Sequence, residues 1–409
     1  MPELTTVEGH LDRILAAVSP LPDHPLPLLE ALGLPLAEDV VSPIALPSFD
    51  NSAMDGYAVL ASDVASASTS SPVHLPVVGE IGAGQASLTE LSAGTGAKIM
   101  TGAPVPAGCD AVVPYEWTDR GASRVTITRA PSVGQHVRHA GEDVAEGDLL
   151  IETGTVLGPR HLGLLASVGR ASVLVRPRPR VVVISTGSEL RDVGMPLGHD
   201  SIYDGNSYLL AAAAQAAGAV AFRVGIVPDQ PQAFLDALSE QLVRADLVVT
   251  SGGVSQGDFD VVKEALTPLG TVWFGGVAMQ PGKPQGFGHV GGAREARVPI
   301  FTLPGNPVSS YISFQTFVLP AIRTMMGRLP VSRPPRTARL VQMVRSPEGR
   351  RQFVRGEYSD DGTVTPVGGP GSHLIGDLAA SNALIVVPEA TTELAADSEV
   401  DVLLLDHEF

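Results

Sequence analysis

The stretch "DLVVTSGGVSQGDFD", residues 246–260, decides how the fold is read. Leu247, Val248 and Val249 form an apolar run without polar alternation, the pattern of a strand buried on both faces. Glycines follow at 252 and 253, where backbone N–H groups after Ser251, Gly252 and Gly253 can cradle anionic oxygens. Yet the loop carries two carboxylates, Asp258 and Asp260, which repel an anion. Two readings stand. The acids hold a divalent cation that in turn holds the anion, as Mg2+ is usually bound by one or two carboxylates plus substrate phosphates. Alternatively, Asp258 caps the next helix and Asp260 sits in its first turn.

Outward from this stretch the same grammar repeats. "RVVVIST", "VAFRVGIV", "TVWFGGVA" and "VPIFTLPG" read as strands. "SYLLAAAAQAAGA", "PQAFLDALSEQLVRA", "FDVVKEALTPLG" and "NPVSSYISFQTFVLPAIRTMMG" read as helices, the first ended by Gly218. Residues 178–327 are therefore expected to form a doubly wound α/β domain with a parallel sheet covered on both faces. Ligands bind beyond the carboxyl ends of such strands. The loops there are "STGSEL", "VPDQ", "TSGGVSQGDFD", "QPGKP" and "LPGNP", which would bring Glu189, Asp229, Asp258, Asp260 and Lys283 to one rim.

The flanks differ. Residues 6–19 and 158–169 read as short helices, which makes 1–46 and 146–177 the two parts of a discontinuous N-terminal domain. Residues 47–145, with strands at "HLPVVGEI" and "RVTITRAP", read as a β-rich insertion. Within it, "FDNSAMDGYAV" (49–59) and "KIMTGAPVPAGCDAVV" (98–113) read, on composition, as tight turns. "RLPVSRPPRTAR" is a linker, and 328–409 is a small β-barrel or sandwich.

Composition excludes several classes of function. At 409 residues, with 44% hydrophobic and 17% charged residues, this is a globular chain of several domains. A net charge of -17 argues against nucleic-acid or anionic-membrane binding. No run approaches a membrane span, and the acidic, amphipathic N-terminus is unlike a secretory signal, so a cytoplasmic protein is expected. Lys98, Lys263 and Lys283 are the only lysines, so an anionic substrate needs a local cluster of cations, helix N-termini or a metal. Cys109, alone, permits no internal disulfide and reads as a buried small residue. The ten histidines lack zinc spacing, and Ser188 and Ser255 have no histidine placed nearby. "GFGHVG" (286–291) matches a dinucleotide fingerprint but opens no helix, so it reads as a hairpin turn.

Taken in order, "FDNSAMDGYAV", "IMTGAPVPAGCDAVV", "GEDV", "STGSEL", "TSGGVSQGDFD", "QPGKP", "LPGNPVSSY" and "GSHLIGDL" resemble the MoeA family over nearly the whole chain. These are the molybdopterin molybdenumtransferases, related to the E domain of gephyrin. The resemblance implies four domains, the last a C-terminal β-barrel, in an elongated homodimer. It implies Mg2+-dependent insertion of molybdate into adenylylated molybdopterin with release of AMP. By position it implies catalytic roles for Asp55, Thr101, Asp143, Glu189, Asp229 and Asp260, with Glu189, Asp229 and Asp260 around the Mg2+. Substrate contacts fall on Ser251, Gly252, Gly253, Ser255, Lys283, Pro304, Asn306, Arg355 and Ser372. Asp55 and Thr101 would face the α/β domain of the other subunit. A molybdopterin adenylyltransferase is a candidate partner. The chain departs from many relatives in carrying Gly276 and Gln280 where they carry lysine. Two alternatives remain: a molybdopterin adenylyltransferase, and a non-catalytic dimeric scaffold of gephyrin type.

Overall fold

The computed structural model of the protein describes residues 4–84, 90–253, 260–291, 297–407 and 409. Its central unit is a six-stranded sheet. In chain order the elements are β1 (Arg180–Ser185), α1 (Asn206–Ala216), β2 (Val220–Arg223), α2 (Pro231–Leu242), β3 (Leu247–Ser251) and α3 (Val261–Leu266). They continue with β4 (Val272–Gly276), β5 (Pro284–Val290), β6 (Val298–Leu303) and α4 (Pro307–Ser313). The strand order is β2-β1-β3-β6-β5-β4. Successive side chains of a strand point to opposite faces. Accordingly Val181, Val183, Leu247 and Val249 pack toward α1 and the helical segment after β6, whereas Val182, Ile184 and Val248 pack against Phe234, Leu238 and Val262.

The sheet departs from the all-parallel expectation at one strand. β5 runs antiparallel to both β4 and β6. Only residues 277–283 separate β4 from β5; a parallel neighbour needs a crossover of about a dozen residues or more. The "GFGHVG" expectation is corrected too, because Gly286 and Gly288 lie within β5, not in a turn. A Cβ on Gly286 would run into the Thr302 hydroxyl and the Phe274 ring, and one on Gly288 into the Thr271 carbonyl. These glycines permit close strand approach. The helix expected after Asn306 is continuous but changes pitch: Phe314–Val318 is a π-turn between α4 and the helix Leu319–Met325. Pro320, without an N–H, cannot make the regular helical bond there.

The other parts of the chain are smaller. His24–Pro27 pairs with Ser172–Val175, and Val40–Val41 with Leu149–Ile151, so two distant segments share one small core. The helix Val7–Ala17, started by the Thr6 side chain accepting from the Gly9 N–H, packs elsewhere: Val7 and Ile14 belong to the α/β core. The insertion is a mixed five-stranded sheet with apolar clusters around Tyr57 and Val113 and around Ala58 and Val112. In the C-terminal region, Arg351–Tyr358, Thr363–Pro366, Arg336–Leu340, Glu399–Leu404 and Ala383–Val387 follow one another in hydrogen-bonded order. Pairing of the last with the first closes a barrel. Met279–Gln280 joins it in parallel with Arg351 and Gln352, coupling the loop after β4 to the barrel.

Candidate functional site

Strand order reverses between β1 and β3, because the chain leaves β1 toward β2 on one side and returns to β3 on the other. At such a switch point the loops diverge and leave a crevice. Here the crevice is a cavity of about 260 Å³. The loop after β1 supplies Thr186 and Glu189, the one after β3 supplies Ser251 and Gly252, and the one after β6 supplies Gly305. Ile375 of the C-terminal region closes one wall.

Backbone detail explains how the loops come so close. Gly252 and Gly253 have φ of +91° and +72°, a region costly for other residues. A Cβ on Gly253 would meet Val262 at 2.6 Å, and one on Gly305 would stand 3.5 Å from the Gly252 Cα. Glu189 folds its carboxylate over Gly187, where a Cβ would come 2.8 Å from Oε2. Asp229, exposed on the loop after β2, accepts from the Ser188 N–H at 2.7 Å and so braces the neighbouring loop. Pro304 and Asn306 follow β6, and Lys283 lies beside the Gly276 end of β4 on the same rim.

Two expectations are corrected here. The Gly252 N–H donates to the Leu303 carbonyl at 3.1 Å, so it extends the sheet and does not open an anion cradle. Asp260 is 6% exposed and occupies the N-cap of α3, its Oδ1 accepting from the Lys263 N–H at 3.4 Å. The described cap of this helix is thus Asp260. Among the described residues no three His, Cys, Asp or Glu side chains gather as a cation cage. Ser255 and Asp258 lie outside the described residues.

The C-terminal region meets the rim through a second cavity, about 450 Å³, lined by Pro281, Val308, Gln352, Arg345 and Arg355 among others. Among its described lining residues no acid is present. Arg355 is 4% exposed, donates to the carbonyls of Gly369 and Gly371, and stands 3.8 Å from Asp377. Burial pulls its pKa below the ordinary arginine value, and Asp377 opposes that. The Ser372 carbonyl accepts from the Val308 N–H at 3.1 Å, which ties this region to the start of α4. Gly276 is covered by Leu4, whose Cδ2 would lie 2.6 Å from a Cβ there, so a lysine at 276 would displace Leu4.

Asp55 and Thr101 do come together, within the insertion. Thr101 donates both its N–H and its hydroxyl to Asp55 Oδ1, each at 2.8 Å. Those two bonds hold the Asp55 carboxyl below its usual value. Asp143 is exposed in the same insertion, its N–H donating to the Leu46 carbonyl.

Two residues of the cavity were not singled out in the sequence. Asp204, 1% exposed, accepts from the Ser185 hydroxyl and the Ser207 N–H, with an Arg223 guanidinium nitrogen 3.9 Å away. Asn206 donates to Ser251 Oγ at 2.8 Å and to the Gly305 carbonyl at 2.6 Å, pinning three segments together. "YDGN" reads as an ordinary turn; its place directly before α1, two strands from the glycine loop, is the signal that could have drawn attention to it.

Comparison with known proteins agrees with this architecture. Residues 5–169 match the family model for the MoeA N-terminal region (domain I and II), 182–324 that for a probable molybdopterin binding domain, and 337–405 that for the MoeA C-terminal region (domain IV). The chain is 46% identical to molybdopterin molybdenumtransferase 2 of Mycobacterium tuberculosis, covering 92% of this chain and 94% of that one. It is 38% identical to the Haemophilus influenzae molybdopterin molybdenumtransferase, covering 93% and 94%. Among solved structures, a molybdopterin biosynthesis MoeA protein from Pyrococcus horikoshii superposes with a TM-score of 0.87 at 32% identity, covering 99% and 100%.

Proposed function

The chain belongs to the MoeA family, and from that premise we propose that it inserts molybdenum from molybdate into adenylylated molybdopterin, releasing AMP. The observation that carries the reading is the rim itself. The edge formed by the carboxyl ends of the strands gathers oxygen donors at a switch-point cavity, and beside it across the start of α4 sits an arginine-lined cavity with no acid among its described lining residues. A substrate with a donor-bearing heterocyclic part and an oxyanion part fits that pairing.

Glu189 and Asp229 are exposed carboxylates on adjacent loops, and Asp260 is a third acid held by its helix. Oxygen donors in this number suit Mg2+, which keeps several waters and substrate oxygens and needs no protein cage. When bound, the ion would neutralise phosphate charge in the adenylyl link. The chain's own contributions are positioning and charge. Arg355 presents a planar guanidinium suited to oxyanion oxygens, and Lys283 adds a cation at the rim. Leu190, Ile202 and Ile375 give the cavity an apolar side. Asp55 and Thr101, paired in the insertion, would join the reaction from a second copy of the chain whose insertion faces this rim in a homodimer, as the family resemblance implies. Incubation of the purified protein with adenylylated molybdopterin, molybdate and Mg2+, followed by measurement of pterin-bound molybdenum, tests the reading. Absence of molybdenum from the pterin would refute it.

A further inference from the structure

We infer that Asn206 is a specificity-determining residue of this site, presenting a fixed hydrogen-bond acceptor to the N–H or O–H groups of the substrate's heterocyclic end. The inference rests on the function proposed above. A side-chain amide has one donor end and one acceptor end, and which way it faces follows from its partners. The Gly305 carbonyl can only accept, and it lies 2.6 Å from Asn206 Nδ2. Reversing the amide would set two oxygens against each other, so the nitrogen must face Gly305. Its other N–H goes to Ser251 Oγ at 2.8 Å. Both donors are spent, and Oδ1 is the polar atom left for the cavity that Asn206 lines.

The surroundings select what that oxygen can meet. The same cavity is lined by the carboxylate-bearing Glu189 and Asp204, and among its described lining residues there is no lysine or arginine. A phosphate or molybdate oxygen facing Asn206 Oδ1 would meet an acceptor there, with the Glu189 and Asp204 carboxylates lining the same cavity. A ligand group that donates is matched: an exocyclic amine, a ring N–H or a sugar hydroxyl. The cationic groups, Arg345 and Arg355, line the other cavity. The geometry therefore divides the substrate, with its donor-bearing ring against Asn206 and its oxyanion beyond the start of α4. Adenylylated molybdopterin carries donors on its adenine, its ribose and its pterin, and the experiment tells these apart.

Binding is measured by titration calorimetry on the wild-type chain and on Asn206→Ala with four probes. These are AMP, purine riboside monophosphate (no amine), 2′,3′-dideoxy-AMP (no sugar hydroxyls) and pterin-6-carboxylate. The probe whose donor meets Asn206 should bind the wild type about tenfold tighter than its donor-lacking analogue, or, for the pterin, about tenfold tighter than it binds Asn206→Ala. The preference should collapse toward one in the variant. A merely structural clamp would weaken all probes in parallel, and that result overturns the inference, as does a wild-type chain indifferent to every donor. Should Asn206→Ala fail to fold, Asn206→Ser takes its place and all four probes are compared on it, with the same expected collapse of the preference. Loss of the effect with molybdenum insertion intact removes Asn206 alone; absence of insertion removes the reading beneath it.

Discussion

Asp260 carries two separable jobs, and two substitutions divide them. Its Oδ1 caps α3 through the Lys263 N–H, while its charge lies among the rim acids. Asparagine caps a helix about as well as aspartate, so Asp260→Asn should change unfolding free energy by no more than about 0.5 kcal/mol. Alanine cannot cap, so Asp260→Ala should cost about 1 kcal/mol, or roughly 2–4 °C in the transition of a unit this size. Turnover should fall in both. If the charge helps hold a divalent cation, Asp260→Asn alone should lose about a hundredfold, near 2.7 kcal/mol of barrier. The assay pairs calorimetric melting with Mg2+-dependent AMP release across a magnesium titration. Wild-type turnover in a fully folded Asp260→Asn protein would refute the metal role. A matched fall in melting temperature and turnover for both variants would refute the separation.

Further expectations follow from other parts of the structure. If the rim is completed by a partner's insertion, mixing Asp55→Ala with Asp260→Asn chains should restore about one working site per mixed dimer; a mixture with verified exchange that stays inactive contradicts this. The Asp55 carboxyl, held below the 3.8 of a free side chain by Thr101, contributes its bonds fully above about pH 4 and loses them as pH falls through its folded pKa. Thr101→Val should move that titration upward toward 3.8 by carboxyl NMR, and an unchanged midpoint counts against the hydroxyl's share. Burial pushes the Cys109 thiol up to about 11, so alkylation by iodoacetamide at pH 7.5 should be far slower than for a free thiol, and rapid labelling of the folded chain would overturn that. Arg355→Ala should raise the molybdate needed for half-maximal insertion at least tenfold, with Arg355→Lys recovering little because a lysine cannot replace the two-carbonyl grip on Gly369 and Gly371.

Much of the α/β unit was legible because buried strands and amphipathic helices write their periods directly into the chain. Val181 to Ile184 and Leu247 to Val249 needed no partner to be read as strands. The rim loops followed from strand polarity alone. β5 was missed because its glycines are selected by cross-strand crowding at Thr302 and Thr271, a tertiary fact that imitates a turn in sequence. Asp204 and Asn206 were missed for a related reason: "YDGN" has turn composition, and only the β1–β3 divergence gives it a cavity to line. The pairing of Asp55 with Thr101 could not be read from spacing, since the two lie on separate turns joined through the insertion's sheet.

Coupling of AMP release to molybdenum capture at this rim is what the proposed reaction demands. Its most direct test follows AMP and pterin-bound molybdenum together in one reaction of purified protein with adenylylated molybdopterin, with molybdate and Mg2+ each added or withheld. One AMP should be released per molybdenum gained, with Mg2+ required for both. AMP release without any molybdenum in the pterin, or ATP-dependent adenylylation of molybdopterin in place of either, would contradict it.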